Sequence, residues 1–88
     1  MALSGQITIA ATGTAQQGSD VPGTLFALKA HPDNTDTVWV GEVAGDVSSA
    51  NGFPLNSGES VVVQVANLNH LWFDADVNGE KICWLALN

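Results

Sequence analysis

Hydrophobic and polar residues alternate through the last eighteen residues of the chain, on both sides of an Asn78-Gly79 dipeptide. This dipeptide is favoured in two-residue hairpin turns, because type I′ geometry requires a positive φ at both positions. Counting outward from the turn places Phe73 opposite Trp84. The sequence therefore predicts a C-terminal antiparallel β-hairpin with an Asn-Gly turn.

The predicted register sorts the side chains of this hairpin into two faces. The face expected in the protein core carries Leu71, Phe73, Ala75, Ile82, Trp84 and Ala86. The opposite face is charged near the turn, and further from it carries Trp72, Leu85 and Leu87. Because that end of the hairpin is apolar on both faces, we predict a second packing partner there. We assign Trp72, Leu85 and Leu87 to a subunit interface.

Strand-like segments separated by turn signals continue along the rest of the chain, and helical spacing of apolar residues is nearly absent. The candidate strands are residues 6–11, 24–30, 37–41 and 60–65. The apolar run at 60–65 indicates a strand that is buried on both faces. Together with the hairpin, these segments predict a small antiparallel all-β sandwich or barrel of six or seven strands. Turn residues do not distinguish a sandwich from a closed barrel.

The composition limits the classes of partner that the chain is expected to bind. Nine acidic residues face two lysines and no arginine, which gives a formal net charge of −7. This charge argues against nucleic acid, whose binding requires a basic patch, and against an anionic membrane surface. No stretch approaches the roughly 18 apolar residues of a membrane span. The N-terminal residues lack the charged and apolar regions of a signal peptide.

The size of the chain makes assembly with other subunits an expected source of stability. Its 88 residues form a single domain, and a domain this small buries a modest share of its surface. The sequence contains one cysteine, Cys83, so no disulfide within the chain adds stability. Oligomerisation is the remaining common way to stabilise a small β domain.

One segment resembles a calcium-binding loop. Asp74, Asp76, Asn78 and Gly79 match the first positions of an EF-hand loop. That loop ends in a bidentate glutamate at position twelve, where this chain has Leu85, and no helix flanks the segment. The hairpin interpretation accounts for the same residues better, so we expect no calcium site.

The remaining candidate chemistry is weak, and we expect neither an enzyme nor a cofactor. His31, His70 and Cys83 lie in three different elements and are too few to make a zinc site convincing. In the predicted hairpin Cys83 faces Asp74, whose negative charge opposes thiolate formation, so we interpret Cys83 as a small structural residue. The sequence lacks a Gly-x-Ser-x-Gly motif and a glycine-rich phosphate loop.

The three tryptophans leave one alternative open. We assign Trp84 to the core, whereas Trp39 points outward if Val38 and Val40 point inward, or the reverse. Trp72 shares a predicted face with acidic residues, and an exposed tryptophan beside acids can stack on sugar rings. Tryptophan is equally enriched in subunit interfaces, which we favour for Trp72 because leucines share its face.

Several segments together resemble a family of small virion structural proteins of tailed bacteriophages. They are residues 35–41, 47–55, 57–61 and 67–80, followed by Trp84, in this order. The resemblance extends over residues 24–88. Its members are capsid decoration proteins, head-fibre bases or tail components, so it implies a structural role in the virion without choosing among them.

From this resemblance we expect a capsid decoration (cement) protein, made in the host cytoplasm and located on the capsid surface. Such a protein is expected to be a homo-oligomer, with a trimer favoured, and to bind the major capsid protein. A contact arm is also expected, and our candidates are residues 1–5, the loop 12–23 and the segment 42–56. The named candidates for capsid contact are Met1, Ala2, Leu3, Ser4, Gly5 and Phe53.

Two alternative functions remain open at this point. In the first alternative, the chain is a tail, baseplate or head-fibre component. In the second it is a carbohydrate-binding module that attaches a virion to glycans, with Trp39 and Trp72 as the stacking residues. An outward Trp39 or Trp72 on a flat face favours the second alternative.

Overall fold

The computed structural model describes residues 3–47 and 51–87. These residues form eight strands and two short 3-10 turns, at Ala44–Asp46 and Leu68–His70. The strands are β1 (Ser4–Thr8), β2 (Gln16–Gln17), β3 (Leu25–Ala30), β4 (Val38–Gly41), β5 (Phe53–Leu55), β6 (Ser60–Gln64), β7 (Trp72–Ala75) and β8 (Lys81–Ala86). The segments expected at 24–30 and 37–41 match β3 and β4 closely, and the polar loop expected at 12–23 contains the short strand β2.

The strands make two four-stranded sheets in which all neighbours are antiparallel. Sheet I has the order β1-β8-β3-β6, and sheet II has the order β2-β7-β4-β5. The chain changes sheet at every connection except β4 to β5, which is the strand order of a jelly roll. The prediction of a small antiparallel all-β fold is confirmed, and the arrangement is a two-sheet sandwich.

The hydrophobic core lies between the two sheets. Sheet I contributes Phe26, Leu28 and Ile82, and sheet II contributes Val38 and Phe73, all fully buried. Every second residue of a strand points to the same side, so one apolar face of each sheet is enough to fill this layer. The core face predicted for the C-terminal segment is also buried, apart from Trp84, which is half-buried at its margin.

The predicted C-terminal hairpin is wrong, because β7 and β8 lie in different sheets. Strand β7 pairs with β2 and β4, whereas β8 pairs with β1 and β3. A type I′ turn needs positive φ at both central residues. Gly79 has a φ of 87°, but no non-glycine residue in the described ranges, Asn78 included, has a positive φ. Asn78-Gly79 is therefore part of a crossover between the sheets.

Side-chain oxygens near this crossover bind the loop that follows β1. The Thr12 N–H donates to Asn78 Oδ1 at 2.8 Å, and the Gly13 N–H donates to Asp74 Oδ1 at 3.2 Å. The backbone of Gly79 also donates to the Ile9 carbonyl at 2.9 Å. The polar residues that were predicted to form a hairpin turn thus stabilise contacts between segments that are far apart in sequence.

The expectation that residues 60–65 form a strand buried on both faces is also wrong. Strand β6 is an edge strand of sheet I, where Val61 and Val63 pack against the core and Val62 is 58% exposed. A run of valines favours a strand but does not show whether a second layer covers its outer face.

Candidate assembly surfaces

An apolar row crosses the outer face of sheet I. Leu85 of β8 is paired with Ala27 of β3, and Ala27 is paired with Val62 of β6. Directly paired residues project to the same side of a sheet, so these three side chains form one line, which we call the outer row. Leu85 is 38% exposed, Val62 is more exposed still, and both point away from the core.

The outer row continues at one end and borders a shallow depression along its side. The backbone of Leu87, an exposed residue, donates to the Leu25 carbonyl at 2.8 Å, which extends the apolar surface by one more pair of strand positions. The depression has a volume of about 260 Å³, and Cys83 and Lys29 are among the residues that line it. Cys83 pairs with Gln6 and Lys29 and not with Asp74, as the hairpin register had predicted.

The structure does not bring together the three residues assigned to one interface. Leu85 lies on the outer face of sheet I with Leu87 beyond it, but Trp72 lies in β7 of sheet II, on the other side of the sandwich. The cause is the mistaken hairpin, since the predicted shared face required β7 and β8 to be neighbours. Ala27, which is paired with Leu85, and Val62, which is paired with Ala27, were not predicted as surface residues. The outer face of β3 was not assigned from the sequence, and Val62 was expected to lie in a strand buried on both faces.

Two tryptophans lie on the outer face of sheet II. The inward positions of β4 are Val38 and Val40, so Trp39 points outward, which decides the alternative left open by the sequence. Trp39 is paired with Asp74, and Trp72 is paired with Gly41, so the two tryptophans occupy diagonal positions of neighbouring strands. Diagonal positions in an antiparallel pair are typically about 7–8 Å apart. The structure therefore places both candidate glycan-stacking residues on one face.

Both tryptophans are half-buried, and the neighbouring carboxylate of Asp74 already accepts hydrogen bonds from within the chain. Asp74 is buried, and its Oδ1 accepts hydrogen bonds from the N–H groups of Gly13 and Ala75. The indole Nε1 of Trp39 is buried and has no hydrogen-bond acceptor within the residues that the structure describes. This face therefore offers aromatic surface and few polar groups free to orient a sugar.

The candidate capsid contacts fall into three groups. Met1 and Ala2 lie outside the described residues, and Leu3 is exposed at the start of the described chain. Ser4 and Gly5 are not part of a free arm, because they belong to β1 and pair with Leu85 and Trp84. Phe53 is exposed on the edge strand β5.

The candidate metal and catalytic residues are not assembled into a site. His31 Nδ1 accepts the backbone N–H of Asp33 at 3.0 Å, His70 ends a 3-10 turn, and Cys83 faces outward from β8. Within residues 3–47 and 51–87, no three His, Cys, Asp or Glu side chains are grouped so that they could hold a metal ion. In the same ranges no helix is long and apolar enough to cross a membrane.

Comparisons with known proteins support the fold and leave the function open. No protein-family model and no curated protein matches the sequence. The structure is similar to a chain from Bacillus endospore appendages, which are described as a novel family of disulfide-linked pili. The TM-score is 0.54 with 16% identity, over 97% of this chain and 81% of the other. At this level of identity the similarity concerns the fold alone.

Proposed function

We propose that the chain is a non-enzymatic structural subunit of a tailed-phage virion, acting as a decoration protein that binds the assembled capsid and stabilises it. The observation that carries this proposal is the outer row, which leaves Leu85 and Val62 exposed on the outer face of sheet I. Contiguous exposed apolar surface on a small soluble protein usually marks a contact with another protein. Its chemistry suits burial against the major capsid protein or a neighbouring subunit.

The virion assignment within this proposal rests on the resemblance of the segments between residues 35 and 84 to phage structural proteins. Jelly rolls serve as capsid domains and as lectin domains, so the fold is compatible with the role without selecting it. The similar endospore appendage structure supports an assembling subunit in general terms. We retain the trimer as the favoured oligomer because the resemblance implies decoration subunits that sit over joints between capsid proteins, often as trimers.

The proposed assembly differs from a disulfide-linked pilus in its chemistry. The 88 residues contain a single cysteine, Cys83, which forms at most one disulfide. A single disulfide connects one copy to at most one other copy, so these 88 residues cannot link a polymer covalently from copy to copy. We therefore assign the contacts between subunits to non-covalent surfaces.

The test compares two substitutions of nearly equal exposure. Leu85 is 38% exposed on the outer row, and Val77 is 39% exposed in the crossover between the sheets. Leu85→Asp places a charge in the proposed contact and should abolish occupancy on purified phage heads, whereas Val77→Asp should bind as the unaltered protein does. The amount of bound subunit is read from heads separated by sedimentation. Equal occupancy of both variants would contradict the assignment of the outer row.

The arm hypothesis needs a narrower test than removal of residues 1–5. Ser4 and Gly5 form part of β1, so their deletion damages the fold as well as any contact. Deletion of residues 1–2 leaves β1 intact and keeps the Leu3 carbonyl that accepts the Ala86 N–H at 2.7 Å. Under the arm hypothesis this deletion reduces head occupancy without lowering the thermal stability of the isolated protein, and unchanged occupancy would refute a contact through these residues.

Glycan binding is a second candidate, favoured by the common outer face of Trp39 and Trp72. Under this function a polysaccharide changes the tryptophan fluorescence, and Trp72→Ala removes that change while Leu85→Asp preserves it. Under the decoration function Leu85→Asp abolishes binding to phage heads, whereas Trp72→Ala preserves it. The pair of variants therefore separates the two functions.

A further inference from the structure

The edge strands of the two sheets differ in how well they are protected against pairing with a further strand. In sheet II, β5 contains Pro54, which cannot donate to a further strand, and β2 has two residues. In sheet I, the edge strands β1 and β6 have five residues each, and neither contains a proline or a charged residue. Soluble proteins usually protect edge strands with prolines, charges or short length. Sheet I therefore has two edges suited to pairing with another strand.

The hydrogen-bonding groups on these edges can be identified from the register. In an antiparallel pair, residues alternate between those bonded to the partner and those whose N–H and C=O point away. The β3–β6 register and the bonds Ala30 N–H to Glu59 O and Val65 N–H to Thr24 O place the outward groups of β6 on Ser60, Val62 and Gln64.

The outward hydrogen-bonding groups of β1 follow from its pairing with β8. The bonds Ala86 N–H to Leu3 O and Ile9 N–H to Glu80 O flank the β1–β8 pair. By alternation, the outward groups of β1 belong to Ser4, Gln6 and Thr8. In the described ranges β1 pairs with β8 alone and β6 with β3 alone, so these groups have no strand partner.

We propose that β6 of one copy pairs antiparallel with β1 of the next copy, which extends sheet I from subunit to subunit. This inference deepens the proposed function, because it rests on the chain being an assembling subunit and names the contact between copies. Strand directions alternate in sheet I, so β1 and β6 run in opposite directions, as antiparallel pairing requires. The register that uses all five residues sets Ser4 opposite Gln64, Gln6 opposite Val62, and Thr8 opposite Ser60.

The side chains of the two strands match on both faces in this register. On the outer face, Gln6 meets Val62, so the outer row of one copy borders β1 of the next. On the core face, Ile7 meets Val61 and Gly5 meets Val63, which joins the cores of neighbouring copies. A shift by one residue would place valines of the core face on the outer face, and a shift by two would leave paired positions unused, so this register satisfies both the faces and the full strand length.

Gly5 has a further role at this seam. A Cβ on Gly5 would lie 2.9 Å from Cζ2 of Trp84, so the indole of Trp84 packs against the backbone of β1 at this position. Trp84 is half-buried in the isolated subunit. In the proposed pairing Val63 of the preceding copy lies opposite Gly5 and covers part of the indole.

The seam joins two different edges, so the assembly is head-to-tail. Contacts of this kind close into a ring when the rotation between copies permits and otherwise grow into a filament. Pairing of one edge with itself gives a twofold dimer and leaves the other edge of sheet I exposed in every copy. Head-to-tail pairing protects both edges, and the trimer favoured above is one closed form of it.

The experiment alters the two residues that face each other across the seam and measures mass in solution. Gln6→Glu combined with Val62→Glu sets like charges opposite one another, whereas Gln6→Glu combined with Val62→Lys sets opposite charges there. Val43→Glu is the matched control, because Val43 and Val62 are both 58% exposed. Each variant is examined by circular dichroism and by size exclusion with light scattering.

We expect the unaltered protein, the Val43→Glu control and the opposite-charge variant to form assemblies of three or more copies. The like-charge variant should keep its strand content and remain near the single-chain mass of 9.1 kDa. Assembly that stops at a dimer, or a like-charge variant that assembles as the control does, would overturn the seam. This experiment uses no phage heads, so its failure is distinct from a failure of the head-binding test.

Discussion

Asn34 forms two hydrogen bonds with the backbone of Lys81, as a residue in a neighbouring strand would. Its Nδ2 donates to the Lys81 carbonyl at 2.8 Å, and its Oδ1 accepts the Lys81 N–H at 2.9 Å. The adjacent His31 N–H also donates to the Lys81 carbonyl, at 3.1 Å. The turn after β3 is thus attached to the start of β8 through one side-chain amide.

Removal of this amide should destabilise the fold. Asn34→Ala removes both bonds to Lys81, and because these bonds are exposed to water we expect a loss of about 0.5–1.5 kcal/mol in the free energy of unfolding. Urea denaturation followed by circular dichroism measures the change. Asp33→Ala is the control in the same turn, because the Asp33 side chain is 92% exposed. Equal stabilities of the two variants would contradict a structural role for the amide.

The buried carboxylate of Glu80 organises the same turn from the other side. Its Oε1 accepts the N–H of Thr35 at 3.1 Å and the hydroxyl of Thr35 at 3.3 Å, and its Oε2 accepts the N–H of Asp36 at 2.9 Å. Glu80→Gln replaces one acceptor oxygen with an NH₂ group. A backbone N–H then loses its acceptor, and the expected loss is about 1–3 kcal/mol in unfolding free energy.

The comparison for Glu80 is Glu42→Gln, which makes the same chemical change at an exposed position. Urea denaturation should give an unaltered midpoint for Glu42→Gln and a lowered midpoint for Glu80→Gln. Coinciding midpoints would show that the carboxylate of Glu80 is dispensable for the turn.

Gly18 is required by close approach of the backbone near Leu68. A Cβ at Gly18 would clash with the Leu68 carbonyl oxygen, and the Gly18 N–H donates to the Leu71 carbonyl at 2.9 Å. Gly18→Ala should therefore lower the thermal midpoint, because overpacking costs about 1–3 kcal/mol in the free energy of unfolding. Gly45→Ala is the control, since a Cβ there meets nothing within 4 Å. A midpoint for Gly18→Ala that equals the control's would refute the contact.

Salt should strengthen assembly. Each copy carries a formal charge of −7, and copies that approach one another repel. Neither β1 nor β6 contains an acidic residue, so screening weakens the repulsion without removing an ion pair within the seam strands. Light scattering should report larger mass as ionic strength rises from about 0.01 M to about 1 M, where the Debye length falls from about 30 Å to about 3 Å. Dissociation with added salt would indicate a contact made by opposite charges.

The sequence predicted the fold class and the buried face of the C-terminal segment, because alternation identifies strands and inward positions locally. Phe73 and Ile82 are both buried as expected, although they belong to different sheets. Strand partners depend on the whole chain, and a short Asn-Gly signal did not reveal them. The oxygen of Asn78 accepts the N–H of Thr12, a contact between residues 66 positions apart.

The candidate surfaces were predictable only in part for the same reason. Leu85 was identified because its own strand alternates clearly, whereas the direction of Trp39 stayed open until the structure placed Val38 and Val40 inward. Val62 was expected to be buried, since its valine neighbours on both sides conceal the alternation. Its exposure follows from the position of β6 at the sheet edge, which no local pattern specifies.

The most direct test of the account is the solution mass of the unaltered protein over a range of concentrations, measured by light scattering behind size exclusion. A structural subunit with two open edges on sheet I should give a mass of three or more times 9.1 kDa, rising with concentration or fixed at a closed ring. A mass that stays at 9.1 kDa at every concentration would contradict assembly through these edges.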